Sequence, residues 1–372
     1  TIDGLAQFDH VVISLDRKAR PSKTYWQDCG PIGAARVFAY GHWGLPLGIG
    51  LFLSFFLAAR RIFREVNAED LRPDLIHAHR LTFDGLGAWL LARWWRVPFV
   101  VSVRGEVESK VFRVKLHYRP LYRRLMRDAS LIYYVSLWYR DAVRRVTGVP
   151  IDKERILPNI VLNTKTVIIP QSASNGFVSV FNFAIHQKKG LTRLLPALKQ
   201  AMGEYPEMTL DLIGSGTRDD LDAVRKLVTN HGLTESVTIV GALDHDDLIA
   251  RLPAYRALVL PSHNETFGMV YTEALFAGVP VLFSKGTGID GYLDGLHVGV
   301  GVNPKSVDDI ASALVTLWQD SDHFRQTIEA SAPDIFDTFD PQTHLDAYAR
   351  DVFALTKTRA NDAANRSDGS DA

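Results

Sequence analysis

The sequence contains one cysteine, Cys29, in 372 residues. An intrachain disulfide is therefore excluded, and such sparing use of cysteine is typical of proteins from a reducing compartment. We expect the cytoplasm as the location. No secretory signal precedes the first predicted strand, at residues 8–15. Because Thr1 is not an initiator and the chain opens directly on this strand pattern, we also expect that an N-terminal segment is missing.

Metal and nucleophile signatures are absent as well. No D-x-D motif ends a predicted strand, no set of Cys and His residues has metal-ligand spacing, and no G-x-S-x-G nucleophile turn occurs. The acidic cluster at residues 244–247 is interpreted as the start of a helix, where acidic side chains are favoured. The sequence thus predicts chemistry without a metal or another cofactor. It also lacks any nucleic-acid-binding motif.

The chain has no net charge, because 42 Lys and Arg residues balance 42 Asp and Glu residues. The charge is nevertheless divided unevenly. Residues 1–165 carry 26 basic and 15 acidic residues, a balance of +11, and residues 166–372 carry 16 basic and 27 acidic residues, a balance of −11. A basic first half favours an anionic partner, such as a phospholipid surface or a lipid-diphosphate acceptor. The alternative is that the opposite charges help the two halves associate.

Residues 37–59 contain no charged side chain. Glycines and Pro46 interrupt the segment, and its continuous apolar part is too short to span a bilayer. We interpret this segment as a helix that continues through Arg60, Arg61 and Arg64. The helix is either buried in the core or in contact with a membrane surface.

Short apolar runs alternate with helical patterns along most of the chain. Such alternation predicts an α/β fold with doubly wound parallel sheets, and the length allows two domains. We place the first domain at residues 1–165 and the second at residues 166–338, with an Asn-, Ser- and Pro-containing hinge at residues 158–176. A last helix is expected within residues 339–357, and residues 358–372 are expected to be disordered because they lack apolar periodicity.

The most informative stretch is residues 261–284. A loop that carries Glu265 leads into a helix predicted at residues 267–276, with Gly268 in its first turn and Glu273 about two turns further. Free backbone N–H groups at a helix start bind phosphate oxygens, and a glycine allows close approach. A carboxylate further along suits vicinal hydroxyls such as those of a ribose. The pattern therefore predicts a nucleotide-sugar site.

The stretch ETFGMVYTEALFAGVPV resembles the donor-site signature of retaining glycosyltransferases of family 4, which have the GT-B fold. The likeness covers most of the chain. It implies two Rossmann-like domains facing a cleft, with the donor on the second domain, the acceptor on the first and a final helix that crosses back. It also implies a first strand and a glycine-rich loop upstream. The implied activity is transfer of a hexose from a nucleoside diphosphate sugar to a hydroxyl of a surface-polysaccharide or lipid-linked glycan.

The resemblance assigns roles residue by residue. Glu265 would position the sugar hydroxyls, Glu273 would bind the ribose, and the backbone of Gly268 and Met269 would bind the phosphates beside Phe267. None of these residues is a general base. The implied mechanism is attack from the face that the diphosphate leaves, with the departing phosphate oxygen taking the acceptor proton.

Two further segments of the second domain match the family. Gly214 and Gly216 form a turn at the end of a predicted strand, where open α/β sheets bind ligands. Lys189 precedes a glycine, as the family's phosphate-binding lysine does, and Lys188 stands beside it. A positive charge there would stabilise the leaving diphosphate. The family's arginine five positions earlier is replaced by Ala184.

In the first domain, His79 and Arg104 follow consecutive predicted strands. We expect His77 to point the other way along the strand, as a core histidine. The family commonly has His-Gly where this chain has Arg104-Gly105, and arginine cannot act as a base, so Arg104 would bind a phosphate or a carboxylate. A structural ion pair of Arg104 with Glu106 or the neighbouring Glu108 is the alternative.

Basic and aromatic residues interleave from residue 113 to residue 127. They form either an anionic acceptor or membrane face, or the solvated side of an amphipathic helix. Two other functions remain open: a nucleotide-sugar epimerase on the same fold, and a nucleotide-sugar-binding subunit with impaired catalysis, which the replacements at Ala184 and Arg104 would explain.

Overall fold

The structure is a computed structural model in which residues 5–18, 25–33, 35–43, 50–82, 84–160 and 175–367 are described. Two compact units share the chain. The first comprises Thr1–Val135, Arg140–Leu157 and Gln342–Ala372, and the second comprises Ser136–Tyr139 and Pro158–Pro341. Most of the predicted hinge, residues 161–174, lies outside the described residues.

The elements follow in chain order. The strands are β1 (His10–Lys18), β2 (Tyr25–Ile32), β3 (Ala35–Trp43), β4 (Ile76–Ala78), β5 (Phe99–Val103), β6 (Leu131–Tyr134), β7 (Glu154–Ile156), β8 (Asn175–Val180), β9 (Leu210–Ile213), β10 (Val237–Gly241), β11 (Tyr255–Val259), β12 (Val281–Ser284) and β13 (Gly299–Val302). The helices are α1 (Leu51–Ala68), α2 (Asp84–Trp95), α3 (Glu106–Val114), α4 (Arg119–Asp128), α5 (Arg140–Thr147), α6 (Leu191–Ala201), α7 (Arg218–Asn230), α8 (His245–Arg251), α9 (Met269–Phe276), α10 (Val307–Gln319), α11 (Ser321–Ala330), α12 (Ala332–Phe339) and α13 (Pro341–Ser367).

The first unit contains two sheets. The four-stranded sheet has the order β4-β5-β6-β7 and is parallel throughout. The three-stranded sheet has the order β1-β3-β2, in which β3 pairs parallel with β1 and antiparallel with β2. The final helix α13 belongs to this unit, where Tyr348 and Leu355 pack against Val100 and Tyr133. Its Asp351 accepts a hydrogen bond of 3.0 Å from the Tyr133 hydroxyl.

The prediction of a helix across residues 37–59 is wrong for its first part. Residues up to Trp43 belong to β3, and the helix begins only at Leu51, while residues 44–49 lie outside the described residues. The strand buries Phe38 and Tyr40, two positions apart, and Trp26 of β2 stacks on Phe38 at 4.9 Å. Alternate burial of aromatic residues suits a strand better than a helix. Strand β2 was not predicted, because its Gly30-Pro31 pair is uncommon within strands.

The second unit has one parallel sheet of the order β10-β9-β8-β11-β12-β13. Counted from its first strand β8, this is the order 3-2-1-4-5-6 of doubly wound dinucleotide-binding folds. The predicted α/β class is thereby confirmed. After β8 the chain moves to one side of the sheet, and after β11 it moves to the other. The carboxyl ends of β8 and β11 therefore flank the point where such sheets bind ligands.

Two helix boundaries differ from the sequence prediction. Helix α13 continues to Ser367, so the backbone extends as a helix past residue 358, where a disordered tail was expected. Helix α9 begins at Met269, which makes Gly268 its N-cap residue rather than a member of its first turn. Within the described ranges, no helix combines the length and the apolar character that a bilayer crossing requires.

Candidate functional site

The loops that follow β8 and β11 touch each other at the centre of the second unit. The His263 amide donates a 2.7 Å hydrogen bond to the Lys188 carbonyl. Gly190 lies so close to the second loop that a Cβ atom on it would stand 2.0 Å from the Pro261 carbonyl oxygen. Only glycine fits there, and its φ of 81° also favours glycine. These contacts bring the lysine segment and the first glutamate to one edge of the sheet.

Lys189 and Glu265 form an ion pair at this edge. The Nζ atom lies 2.5 Å from Oε2, although the two residues are 76 positions apart in the chain. Their side chains are only 15% and 12% exposed, respectively. The sequence placed both residues in the site but did not predict that they pair. A largely buried ammonium next to a carboxylate is held in one position and can act on a ligand's phosphate or hydroxyl oxygens.

The backbone of Glu265 is fixed by the loop after β12. Its amide donates to Thr287 Oγ1 at 2.5 Å, and the Thr287 hydroxyl donates to the Glu265 carbonyl at 2.9 Å. The Gly288 amide donates to the same carbonyl at 3.0 Å. Thr287 is buried, and Gly288 has a φ of 64°. Sequence reasoning missed Thr287; the signal was its position in the glycine-containing loop KGTGIDG directly after a strand.

Helix α9 starts directly after Gly268, its N-cap residue. This residue has a φ of 80° and no side-chain cap, so the first N–H groups of the helix have no capping side chain. Met269 is exposed beside it. Phe267 is fully buried, with Tyr292 and Phe339 at ring-centroid distances of 5.4 Å and 6.1 Å. The side chain of Phe267 therefore belongs to the core, and this residue can contact a ligand only through its backbone.

Glu273 lies in the second turn of α9 and is partly buried. Burial raises the pKa of Glu273, and attraction to His245 at the start of α8 opposes that shift. Among the described residues, none donates a hydrogen bond or forms an ion pair with its carboxylate. A partly desolvated carboxylate without a fixed partner is suited to accept hydrogen bonds from ligand hydroxyls.

The turn after β9 approaches β8 at close range. A Cβ atom on Gly214 would lie 1.8 Å from the Phe181 carbonyl oxygen, and one on Gly216 would lie 3.0 Å from the Phe183 Cβ atom. Packing thus requires glycine at position 214, whether or not it also contacts a ligand, whereas a Cβ atom at position 216 would make a tight contact with side-chain atoms. Close to these glycines, the Asn182 side chain accepts a 2.9 Å hydrogen bond from the Ala184 amide. Asn182 thereby caps a short 3-10 helix that contains Ala184, the position where the family has an arginine.

We expect Gly214→Ala to lower the free energy of unfolding by at least about 3 kcal/mol, because the new methyl group would overlap a backbone oxygen. Gly295→Ala is the matched control. Its φ is 82° and the space around it is open, so the change should cost only the backbone strain, about 1–2 kcal/mol. Urea unfolding measures both. Equal losses in the two variants would contradict the close approach.

The predicted residues of the first unit lie at the ends of β4 and β5. Arg104 Nε donates to the His79 carbonyl at 3.1 Å, and Glu106 pairs with Lys110 at 3.5 Å. Partial desolvation and the positive charges of Arg104 and Arg80 lower the pKa of His79 to about 4. His79 is therefore neutral near pH 7, whereas Arg104 is charged.

His77 has a structural position, but the prediction that it points away from His79 is wrong. The two rings stack at a centroid distance of 4.3 Å, because residues two positions apart in a strand face the same side. The ring nitrogens of His77 lie 2.8 Å from the Tyr348 hydroxyl and 2.8 Å from Ser102 Oγ. Burial is the main cause that holds the pKa of His77 well below its usual range, and electrostatic interactions with His79 and Arg104 lower it further. Glu108 is fully buried, and burial raises its pKa. The negative charges of Glu108 and Asp84 attract Arg104 and oppose the lowering of its pKa by burial.

No group of three or more His, Cys, Asp or Glu side chains is arranged to hold a metal ion in the part of the chain that the structure describes. The two catalytic candidates, Lys189 and Glu265, are in direct contact in the second unit, and Lys188 is half-buried beside them. His79 and Arg104 lie in the first unit.

Comparison with known protein families gives two matches. The model of the glycosyl transferases group 1 matches residues 167–333, and the model of the glycosyl transferase 4-like domain matches residues 3–160. The two matches do not overlap, and together they cover both halves of the chain.

Individual proteins resemble the chain at low sequence identity. The glycogen synthase of Mycobacterium tuberculosis is 27% identical over 300 residues, which cover 77% of this chain and 70% of that protein. The sulfoquinovosyl transferase of Arabidopsis thaliana is 27% identical over 333 residues, which cover 84% and 61%. The crystal structure of Anabaena HepE with UDP and glucose has a TM-score of 0.67, 17% identity and coverage of 94% and 100%. This last likeness concerns the fold alone.

Proposed function

The chain belongs to the group 1 glycosyl transferases, with the GT-B fold and a 4-like first domain, and from that membership we propose that it transfers a hexose from a nucleoside diphosphate sugar to a glycan hydroxyl with retention of the anomeric configuration. The coarse activity, glycosyl transfer from such a donor, follows from the family. The acceptor that we propose is a surface-polysaccharide or lipid-linked glycan. We further propose that no metal takes part and that the protein works in the cytoplasm, at the inner face of the membrane.

The observation that carries the proposal is the Lys189–Glu265 pair at the switch point of a 3-2-1-4-5-6 sheet. A donor diphosphate bound at the start of α9 would place its negative charge near the Lys189 ammonium. The free N–H groups after Gly268 would supply further hydrogen bonds to the phosphates. Electrostatic stabilisation of the leaving group is the main way in which such a site lowers the barrier.

In the proposed reaction the bond between the anomeric carbon and the diphosphate oxygen breaks, and the acceptor oxygen bonds to the same face of that carbon. The departing phosphate oxygen takes the acceptor proton. Glu265 orients the sugar hydroxyls, and Glu273 binds the ribose. No protein base is required. This is consistent with the contact between Lys189 and Glu265, in which the carboxylate already pairs with the lysine.

The first test uses thermal unfolding with UDP, GDP, ADP and their sugars. We expect one nucleoside diphosphate to stabilise the protein selectively, by roughly 2.7 kcal/mol at about a hundred times its dissociation constant. Glu273→Ala should abolish the effect, since it removes the ribose-binding carboxylate. Glu235→Ala, an exposed glutamate of the same unit, should leave it unchanged.

Stabilisation that persists in Glu273→Ala would contradict the assignment of Glu273. Product analysis then separates the remaining functions. Transfer of the sugar supports the proposal, an epimerised donor indicates the epimerase, and binding with neither transfer nor donor hydrolysis indicates an impaired binding subunit.

A further inference from the structure

Helix α1 of the first unit exposes large apolar side chains next to arginines. Phe52, Leu53 and Leu57 are 40%, 59% and 52% exposed, and Arg60 and Arg64 follow them in the exposed part of the helix. At 100° per residue these five positions fall on one side of the helix. This side, which we call the α1 face, changes from apolar in the first two turns to basic in the next two.

The exposed residues are not needed to pack the helix. The opposite side of α1 is already buried by an apolar stripe that makes the contacts with the rest of the unit: Phe55, Ala58, Ala59, Ile62 and Val66, all at most 4% exposed. A single exposed leucine is ordinary, but three large apolar side chains within two turns indicate a contact surface.

The charge of the α1 face is not compensated. Glu65, the acidic residue in this part of the helix, pairs with Arg61 at 2.5 Å. Arg60 and Arg64 form no ion pair or hydrogen bond with any described residue. The first half of the sequence also carries the balance of +11 that results from its 26 basic and 15 acidic residues. Such a face suits a partner that combines negative charge with an apolar layer.

We propose that the α1 face docks the first unit on an anionic phospholipid surface, with the helix lying in the interfacial plane. The apolar side chains would enter the boundary of the acyl layer, and the arginines would bind lipid phosphates. A second copy of the chain fits less well. A two-fold contact would bring two identical faces together, and their unpaired arginines would find no acidic partner on either face.

The inference rests on the proposed location at the inner face of the membrane and is tested without a donor, so its failure would remove that location and leave the proposed glycosyl transfer standing. The experiment is sedimentation with vesicles of phosphatidylcholine alone and with vesicles of an equal mixture of phosphatidylglycerol and phosphatidylcholine. Wild-type protein should partition only to the mixed vesicles. Arg60→Gln/Arg64→Gln should lower the partition coefficient about thirtyfold, and Leu53→Ser/Leu57→Ser should lower it about tenfold or more.

The matched control is Ile151→Ser/Ile156→Ser, which removes two exposed apolar side chains elsewhere in the same unit, 71% and 46% exposed. Its partition should equal that of the wild type. Light scattering is measured in parallel. The proposal is overturned if wild-type protein does not sediment with the mixed vesicles, if it binds both vesicles equally, or if Leu53→Ser/Leu57→Ser binds like wild type. If light scattering shows that the wild type is a dimer and Leu53→Ser/Leu57→Ser is a monomer, the α1 face binds a second copy of the chain instead.

Discussion

Replacing Lys189 with alanine should lower the turnover of glycosyl transfer about a thousandfold, the size of effect found when one preorganised electrostatic contact to a developing charge is removed. The ammonium is 15% exposed and lies 2.5 Å from Glu265, so it is positioned before a donor binds. Initial rates at saturating donor measure the effect. Lys199→Ala is the control, since that lysine is in the same unit and, among the described residues, donates only to the His231 carbonyl, at 2.9 Å.

A purely structural ion pair predicts a different pattern. Lys189→Ala leaves the Glu265 carboxylate, 12% exposed, without its cation, which should cost about 3–5 kcal/mol of stability. Turnover must therefore be expressed per folded molecule. Lys189→Met/Glu265→Leu removes both charges and should recover most of that stability, because a buried pair replaced by apolar residues is often neutral. If this double variant also recovered transfer, the catalytic role of Lys189 would be refuted.

The second unit was largely predictable because its signals are local. Glu265, Gly268 and Glu273 lie within one loop and one helix, and the glycine and proline residues around them fix the order of elements. The contact of Lys189 with Glu265 was not predictable, since it depends on the pairing of β8 with β11 across the switch point. Thr287 was missed for the same reason, because its partner is the backbone of a residue 22 positions away.

The first unit was less predictable, and the reason is again distance along the chain. His77 was wrongly expected to point away from His79, with which it stacks, and its partner Tyr348 is 271 positions away on α13. The helix predicted across the uncharged segment at residues 37–59 was wrong for its first part, because buried strands and buried helices both lack charged residues. The alternation of Phe38 and Tyr40 was the signal that favoured a strand there.

Exchanging Glu265 for glutamine should lower turnover about a hundredfold and leave the affinity for the nucleoside diphosphate unchanged. Glutamine keeps the size of the side chain, and the backbone remains fixed by Thr287 and Gly288, so the loop should not move. What is lost is the negative charge that orients the sugar hydroxyls and pairs with Lys189. Steady-state rates and titration with the nucleoside diphosphate measure the two quantities.

Glu273→Gln should have the opposite effect to Glu265→Gln. Because Glu273 is assigned to the ribose, the main effect of this change should be weaker binding of the nucleoside diphosphate. The two carboxylates are eight positions apart and differ in surroundings: one pairs with a lysine, and burial raises the pKa of the other. Loss of nucleotide affinity in Glu265→Gln with full turnover would reverse the assignment. Loss of affinity in Glu273→Gln together with unaffected turnover in Glu265→Gln would mean that the ion pair holds the two loops together and that the transferred sugar is oriented by other residues.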